Sequence, residues 1–401
     1  MNDVGNDAST QSRLLVSLLL LWLSGTALRL TILAVPPVLP LIHDEMGLSA
    51  TQIGILTGLP SMLFAFAAVP GSLLIARVGV RAAMVIGLAV NAVGGALRGA
   101  VPDVAWLYAM TIIMGAGVAI MQVTMPPAVR TWTPQRIGFA TAVYTNGLLI
   151  GEVAPVALML PLALPLVGGT WQRGFVFWSV PVIIIGALVW LLAPSPAAST
   201  NGSKSRPRWW PDWNDPLMWR LGIMLGTVNA TYFTTNAFIP DYLKSNGDGD
   251  WISAALSGLN LGQIPASLLL LALAERLKRR LWPYVMCGLL CVVATAGIVF
   301  GHGIWAAAAA TLQGFSAAAI LVLVLALPPL LSLPDDVHRV TAAMFTISYS
   351  LAVIVPVISG LAWDLSGIPA TSFLPIALCG IALVMLAPAV NRVPRAKCDL
   401  P

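Results

Sequence analysis

The 401-residue sequence predicts an all-α integral membrane protein whose twelve transmembrane helices form two six-helix bundles. Three observations carry this expectation. Hydrophobic residues make up 58% of the chain and charged ones 9%, with a mean hydropathy of +0.88, which leaves too little polar surface to coat a water-soluble globule. The apolar residues form runs of about 20, long enough for a helix to cross a hydrocarbon core about 30 Å thick, without the alternation that barrel strands require. The runs fall into two sets of six, separated by one polar, proline-containing break.

The first six runs lie at 14–41, 52–76, 82–100, 104–129, 137–165 and 173–194, and the second six at 219–243, 251–274, 282–300, 304–331, 339–363 and 371–390. The expected organisation is a tail over 1–13, a bundle over 14–194, a linker over 195–218, a second bundle over 219–390 and a tail over 391–401. The linker carries Lys204, Arg206, Arg208 and the aromatic cluster Trp209, Trp210 and Trp213, read as interfacial anchors on a short amphipathic stretch. The first run contains Arg29 and lacks a small-residue cleavage site followed by a soluble domain, so it reads as a retained span rather than a signal peptide.

Lys and Arg cluster in alternate loops. Arg13, Arg77, Arg81, Arg130, Arg136, the linker cations, Arg220, the Arg276–Arg280 group, Arg339, Arg392, Arg395 and Lys397 fall on one side, and Arg98, Arg173 and Lys244 approach the other. The positive-inside rule then places both termini and the linker in the cytoplasm, with a bacterial inner membrane as the expected location. The same distribution accounts for a pI near 9.2 without nucleic acid. The expected partners are the lipid bilayer, a small-molecule solute and, as a further candidate, protons, around a chain acting as a monomer. Cys287, Cys291, Cys379 and Cys398 show no disulfide or metal spacing and read as small packing residues. No nucleotide-binding loop, catalytic triad or metal-ligand cluster stands in the sequence, so neither cofactor, metal nor enzymatic chemistry is expected, and any energy would come from a gradient.

The halves echo each other. The segment Leu74-Ile75-Ala76-Arg77-Val78-Gly79-Val80-Arg81 follows the second span, and Leu273-Ala274-Glu275-Arg276-Leu277-Lys278-Arg279-Arg280 follows the eighth, 199 residues later. Pro40 in the first span similarly meets Pro240 in the seventh. Parallel six-helix repeats are the pattern of carriers that hold their solute between repeats near the midplane.

Both segments resemble the cytoplasmic loop motif of the major facilitator superfamily, roughly Gly-x-Leu-Ala-Asp-Arg-x-Gly-Arg-Arg. Ser72 replaces its first Gly and Ala76 its Asp, whereas Glu275 keeps the acid in the second half. Arg77, Arg81, Glu275 and Arg276 are thereby implied as loop and gating residues. Leu28-Arg29, Pro37-Val38-Leu39-Pro40, Leu59-Pro60 and the stretch from Gly115 to Pro126 resemble the cyanate porter family, which includes transporters assigned to cyanate and to 2-nitroimidazole. The resemblance implies alternating access and a small polar or anionic solute, such as a cyanate-like anion, a small carboxylate or a nitroimidazole-like heterocycle. The alternative is a drug:proton antiporter exporting amphipathic compounds, for which Gly147, Gly151 and Pro155 give only a partial fifth-span match, interrupted by Glu152.

Arg29 is the most informative residue, because an Arg deep in a span costs at least about 2.5–3.5 kcal/mol and must be compensated. It reads either as a cation that binds solute or as a salt-bridged fastener between helices. Glu152 lies as far into the fifth span as Arg29 lies into the first, which makes it the expected partner, serving as a proton carrier or as a structural counter-ion. The seventh span is unusually polar. Its Asn229, Tyr232 and Asn236 share a face and line a cavity or bond to neighbouring helices. Further candidate solute contacts are Gln122, Tyr144, Asn146, Asn260, Gln263, Gln313 and Tyr349. Arg98 and Asp364, at span ends within reach of interfacial water, read as structural residues, with capping or gating as the alternative for Asp364, and His43, Asp44, Glu45 and His302 read as ordinary loop residues. Glycines four residues apart, at 54 and 58, 95 and 99, 147 and 151, 258 and 262, and 297 and 301, are expected to let helices approach closely.

Overall fold

Proline and glycine decide where the helices of this chain stop. The structure, a computed structural model, describes residues 3–47, 50–194 and 209–388. Expectations placed on Lys204, Arg206, Arg208, Cys398 and the tail 391–401, and on the side chains of Pro40, His43 and Asp44 and the glycine pair 54 and 58, lie outside the described residues.

The first span was expected to run unbroken to residue 41, but its helix α1 (Asp3–Leu30) ends directly after Arg29. The chain then turns through Thr31–Val35 and a 3-10 turn at Pro36–Val38 before α2 (Leu39–Met46). Pro36 and Pro37 lack the N–H that a continuing helix would need, and a proline disfavours helical geometry in the residue before it. α3 (Ala50–Leu97) joins the expected second and third spans around Gly79, whose φ of 81° only glycine adopts readily. α4 (Val104–Trp132) starts at an Asp103 cap that accepts from the Trp106 N–H at 2.8 Å. α5 (Ile137–Leu158) continues through a π-helical turn at Met159–Ala163 into the short α6 (Leu164–Leu166), where Pro161 and Pro165 disturb the hydrogen-bond ladder. α7 (Trp171–Leu192) follows.

In the second half, α8 (Pro216–Ser245) begins with Pro at its first position and an Asp215 cap. The eighth span divides at Gly262 into α9 (Ile252–Leu261) and α10 (Gln263–Leu277). Then come α11 (Leu281–Phe300), α12 (Ile304–Leu325), the Pro-started α13 (Leu327–Leu331), α14 (Val337–Ser366) and α15 (Leu374–Leu386).

Among the described residues, ten helical stretches are long and apolar enough to cross a bilayer. Two features bring these ten stretches to the expected twelve spans. The stretch Met62–Leu97 counts once although two helices meet in it at the non-helical Gly79 (φ 81°, ψ 168°), and α8 carries Asn229, Thr231, Tyr232, Thr234, Thr235 and Asn236, whose polarity keeps it out of the count. Phe66, Leu191, Phe300 and Leu365 stand 71–82% exposed on the outside, an arrangement that lipid stabilises and water would not.

The chain divides into two compact units, Met1–Pro211 with Pro334–Ala342, and Asp212–Leu333 with Ala343–Pro401. In the first, α3 packs along α4 and α7, and α1 packs along α5. The α1–α5 contact is nearly backbone on backbone. A Cβ added at Gly147 would come within 2.2 Å of the Trp22 carbonyl oxygen, one at Gly151 within 2.2 Å of that of Thr26, and one at Gly25 within 2.1 Å of that of Tyr144. This unit also includes Trp209 and Trp210, whose carbonyls accept from Ser72 Oγ and Arg339 Nε, each at 2.8 Å. In the second unit, Tyr242 packs edge-on to Phe373 and donates to the Val299 carbonyl, amid Ile239, Leu259, Ile298 and Ile376. Cys287, Cys291 and Cys379 are buried and free.

Because backbone faces the missing Cβ, Gly147→Val or Gly151→Val forces α1 and α5 apart. Either change is expected to cost about 1–3 kcal/mol and to lower the thermal unfolding midpoint of the detergent-purified protein. A midpoint equal to wild type would contradict this packing.

Candidate solute-binding site

The approach of α1 to α5 places Arg29, in the last turn of α1, beside Glu152, which follows Gly151 on α5. Arg29 Nε lies 3.3 Å from Glu152 Oε1, with the two side chains 17% and 26% exposed. The guanidinium also sits 5.8 Å from the centre of the Phe64 ring, whose electron-rich face attracts a cation. One turn and more below, Trp22 Nε1 donates to Asn146 Oδ1 at 3.0 Å, and Thr26 Oγ1 donates to the Trp22 carbonyl. Tyr144 is buried, with its backbone oxygen against Gly25. The first unit thus gathers Arg29, Tyr144, Asn146 and Glu152 along one helix pair, while Gln122 stands half-buried on α4. A cation and a carboxylate in partial contact with the surroundings can exchange partners, which a sealed pair cannot do.

In the second unit, the polar residues of α8 meet α9 and α14. Tyr232 Oη donates to Asn260 Oδ1 at 2.6 Å, Asn260 Nδ2 donates to the Leu256 carbonyl at 2.8 Å and reaches Asn236 Oδ1 at 3.4 Å, and Asn236 Nδ2 returns to the Tyr232 carbonyl. Asn229 Nδ2 donates to Ser348 Oγ at 2.8 Å. Asn260 is exposed and its partners are half-buried, so this network offers uncharged donors and acceptors at an accessible edge. Gln263, Gln313 and Tyr349 are buried instead, Gln313 completely, and Tyr349 stacks on Phe345. Of the loop residues, Arg77 and Arg276 are exposed, Arg81 donates to the Trp190 carbonyl and lies over its ring, and Glu275 pairs with Lys278.

Arg98 corrects an expectation. It does not reach interfacial water but is 1% exposed, held 4.2 Å over the Phe175 ring, with its Nε and Nη2 directed to the carbonyls of Gly95 and Thr31. The cause is the break in α1. The helix end leaves carbonyls without intrahelical partners and carries the negative end of the helix dipole, which a cation satisfies. Asn91, wholly buried, serves the same end: Nδ2 donates to the Ala27 carbonyl at 3.0 Å and Oδ1 accepts from Thr31 Oγ1 at 2.7 Å. Sequence reasoning missed Asn91. The available signal was an amide in an apolar span, seven residues before an Arg and therefore on its face. It also missed Phe64, Phe175 and Ser348, which no spacing marks.

Two loop residues also do more than expected. Glu45 accepts from Trp171 Nε1 at 2.6 Å and from Gln172 Nε2 at 2.8 Å, at the start of α7. His302 Nδ1 lies 3.0 Å from Asp248 Oδ2. Asp364 is exposed, as its place at a span end suggests. Among the described residues, no three His, Cys, Asp or Glu side chains gather as metal ligands would.

An all-helical membrane chain in two compact units, with polar groups embedded in its spans, defines the class of integral membrane carriers. The model of the major facilitator superfamily matches residues 19–257, and the chain belongs to that family. It is 27% identical to the cyanate transport protein CynX of Escherichia coli over 92% of this chain and 95% of that one. It is 25% identical to the 2-nitroimidazole transporter of the same organism, over 92% and 93%. The fold matches the superfamily transporter FucP in its outward conformation with a TM-score of 0.75 at 15% identity, covering 95% of this chain and 100% of that chain. The proton:xylose symporter XylE matches with a TM-score of 0.73 at 12% identity, covering 94% and 95%.

Replacing Asn91 by Leu keeps its volume but strips the Ala27 carbonyl of its donor and Thr31 Oγ1 of its acceptor. The expected penalty is about 1–3 kcal/mol for the buried groups left unsatisfied, read as a lower unfolding midpoint. An unchanged midpoint would mean that the end of α1 does not depend on Asn91.

Proposed function

We propose that this superfamily transporter is a secondary active carrier of a small polar or anionic solute, of the cyanate, small-carboxylate or nitroimidazole type, and that Arg29 is its anchor. The observation carrying the reading is the partly exposed Arg29–Glu152 pair: a planar guanidinium suits flat anions and dipolar heterocycles, and its counter-ion keeps it neutralised while no solute is bound. The similarity to the cyanate and 2-nitroimidazole transporters points to the same solute class. In the first unit, Glu152 carries a coupling proton when the solute takes its place on Arg29; in the second, Tyr232, Asn236 and Asn260 are candidate neutral solute contacts. An exporter of amphipathic drugs would need a broad apolar site and no such cation. The basic loops favour cytoplasmic termini in a bacterial inner membrane, with the chain acting as a monomer.

The reading is tested by binding and uptake in purified protein and proteoliposomes, using cyanate, formate and 2-nitroimidazole as probes. Arg29→Ala removes a charge-assisted contact worth about 1.5–3 kcal/mol, so binding of the transported probe should weaken roughly 10- to 100-fold. Unaltered binding would sink the anchor role.

Glu152→Gln should keep downhill exchange of the probe while losing accumulation driven by an imposed pH gradient. If that variant still accumulates the probe with normal dependence on pH, Glu152 does not carry the proton.

A further inference from the structure

Two of the groups that hold the Arg29 guanidinium differ sharply in their access to the surroundings. Glu152, whose Oε1 lies 3.3 Å from Arg29 Nε, has a side chain 26% exposed, so water or an incoming anion can reach it. The Phe64 ring, whose centre lies 5.8 Å from Arg29 Cζ, is 2% exposed and closed to both. Phe64 stands on α3, where the neighbouring Leu63 packs into the space that Gly115 of α4 leaves open: a Cβ on that glycine would come within 2.6 Å of Leu63 Cδ1. This close seat against α4 fixes the turn of α3 from which the ring projects.

The two attractions also differ in kind. A carboxylate accepts hydrogen bonds from the N–H groups of the guanidinium, the same groups that an anionic solute would use. An aromatic face attracts the positive charge as a whole, more strongly where water is excluded, and does not compete with an oxygen for an N–H. An arginine released by its carboxylate with nothing else to hold it regains its rotamer freedom, which a binding solute would have to remove again. A buried ring beside the cation prevents that loss of order.

We propose that Phe64 is the positioning residue of the Arg29 site: its buried ring keeps the guanidinium in place while Glu152 and the solute exchange on the N–H groups. This rests on the reading of Arg29 as the solute anchor and adds to it how the anchor stays ordered through the exchange. Phe64 itself touches no solute, because its ring is buried.

The test replaces Phe64 with phenylalanines carrying one, two and three ring fluorines, which nearly preserve the shape of the side chain while draining negative charge from the ring face. The series is read in the full-length, detergent-purified protein by the unfolding midpoint and by the binding of formate. The midpoint should fall with each fluorine in wild type and in Glu152→Gln, where the carboxylate is gone. It should stay level when Arg29→Met is combined with Glu152→Gln, which removes both charges together so that neither is stranded. Formate binding to the otherwise wild-type protein should weaken roughly 3- to 10-fold from the unfluorinated ring to the third fluorine. A level midpoint series with Arg29 present, or an equal fall without it, overturns the hold of the ring on the cation. A falling midpoint with unaltered formate binding overturns the positioning role. Failure of the anchor itself shows separately, as unaltered formate binding in Arg29→Ala, so the two readings fail on different measurements.

Discussion

An arginine inside a membrane helix has to be neutralised where it stands, and the first unit is arranged around that requirement. Arg29 stands in the last turn of α1, only partly exposed, and Glu152 meets it because α1 and α5 come closer than ordinary side chains allow. Gly25, Gly147 and Gly151 permit this approach by putting backbone against backbone. The ion pair and the glycine contact are therefore one feature: a methyl group at Gly151 would move the carboxylate away from its cation. The break after Leu30 adds a second obligation, because the released carbonyls need donors, and Asn91 on α3 and Arg98 directly after it supply them. Two embedded cations result, the partly exposed Arg29 answered by a carboxylate and the buried Arg98 by carbonyls and an aromatic face.

The second unit meets its polar groups differently. Its spans carry amides, hydroxyls and thiols, and several of these pair in short neutral chains such as Tyr232–Asn260–Asn236 and Asn229–Ser348. Neutral hydrogen bonds between helices are worth little individually and are readily exchanged, whereas removing one partner of an embedded ion pair strands a charge. Variants of the two units should thus differ in kind. Changes on α8 and α9 alter which hydrogen bonds form, while changes at Arg29 or Glu152 alter whether the unit tolerates its own charge.

The helical membrane fold was readable from hydropathy, because it depends on composition over about 20 residues and on nothing finer. The Arg29–Glu152 pair was readable by counting depth from two span starts, since helical rise converts sequence distance directly into position. The method failed at Arg98. A residue at a span end ordinarily reaches the interface, and only the break in α1, which creates bare carbonyls beside it, turns Arg98 inward. That break was written in Pro36 and Pro37, but an apolar run conceals it from hydropathy. The polarity of α8 was visible, yet the partners of Asn229 and Tyr232 were not, because Ser348 and Asn260 lie far along the chain and share no spacing with them. Gln313 shows a related limit: its type suggested a solute contact, and its complete burial within the second unit comes from packing that the sequence does not display.

Charge conservation links these observations to the proposed transport. With no solute bound, Arg29 and Glu152 leave the site neutral. If an anion takes the guanidinium, Glu152 is left as a carboxylate in a poorly hydrated place, beside a second negative charge. The site regains neutrality if Glu152 binds one proton, so a monoanion and a proton would enter together, and the loaded unit would carry the same net charge as the empty one. A neutral heterocycle imposes no such demand, because it can share Arg29 with Glu152 and leave the pair ionised. On this reading, one arrangement of residues couples anion transport to protons and leaves transport of neutral solutes uncoupled, with the charge of the solute deciding between them.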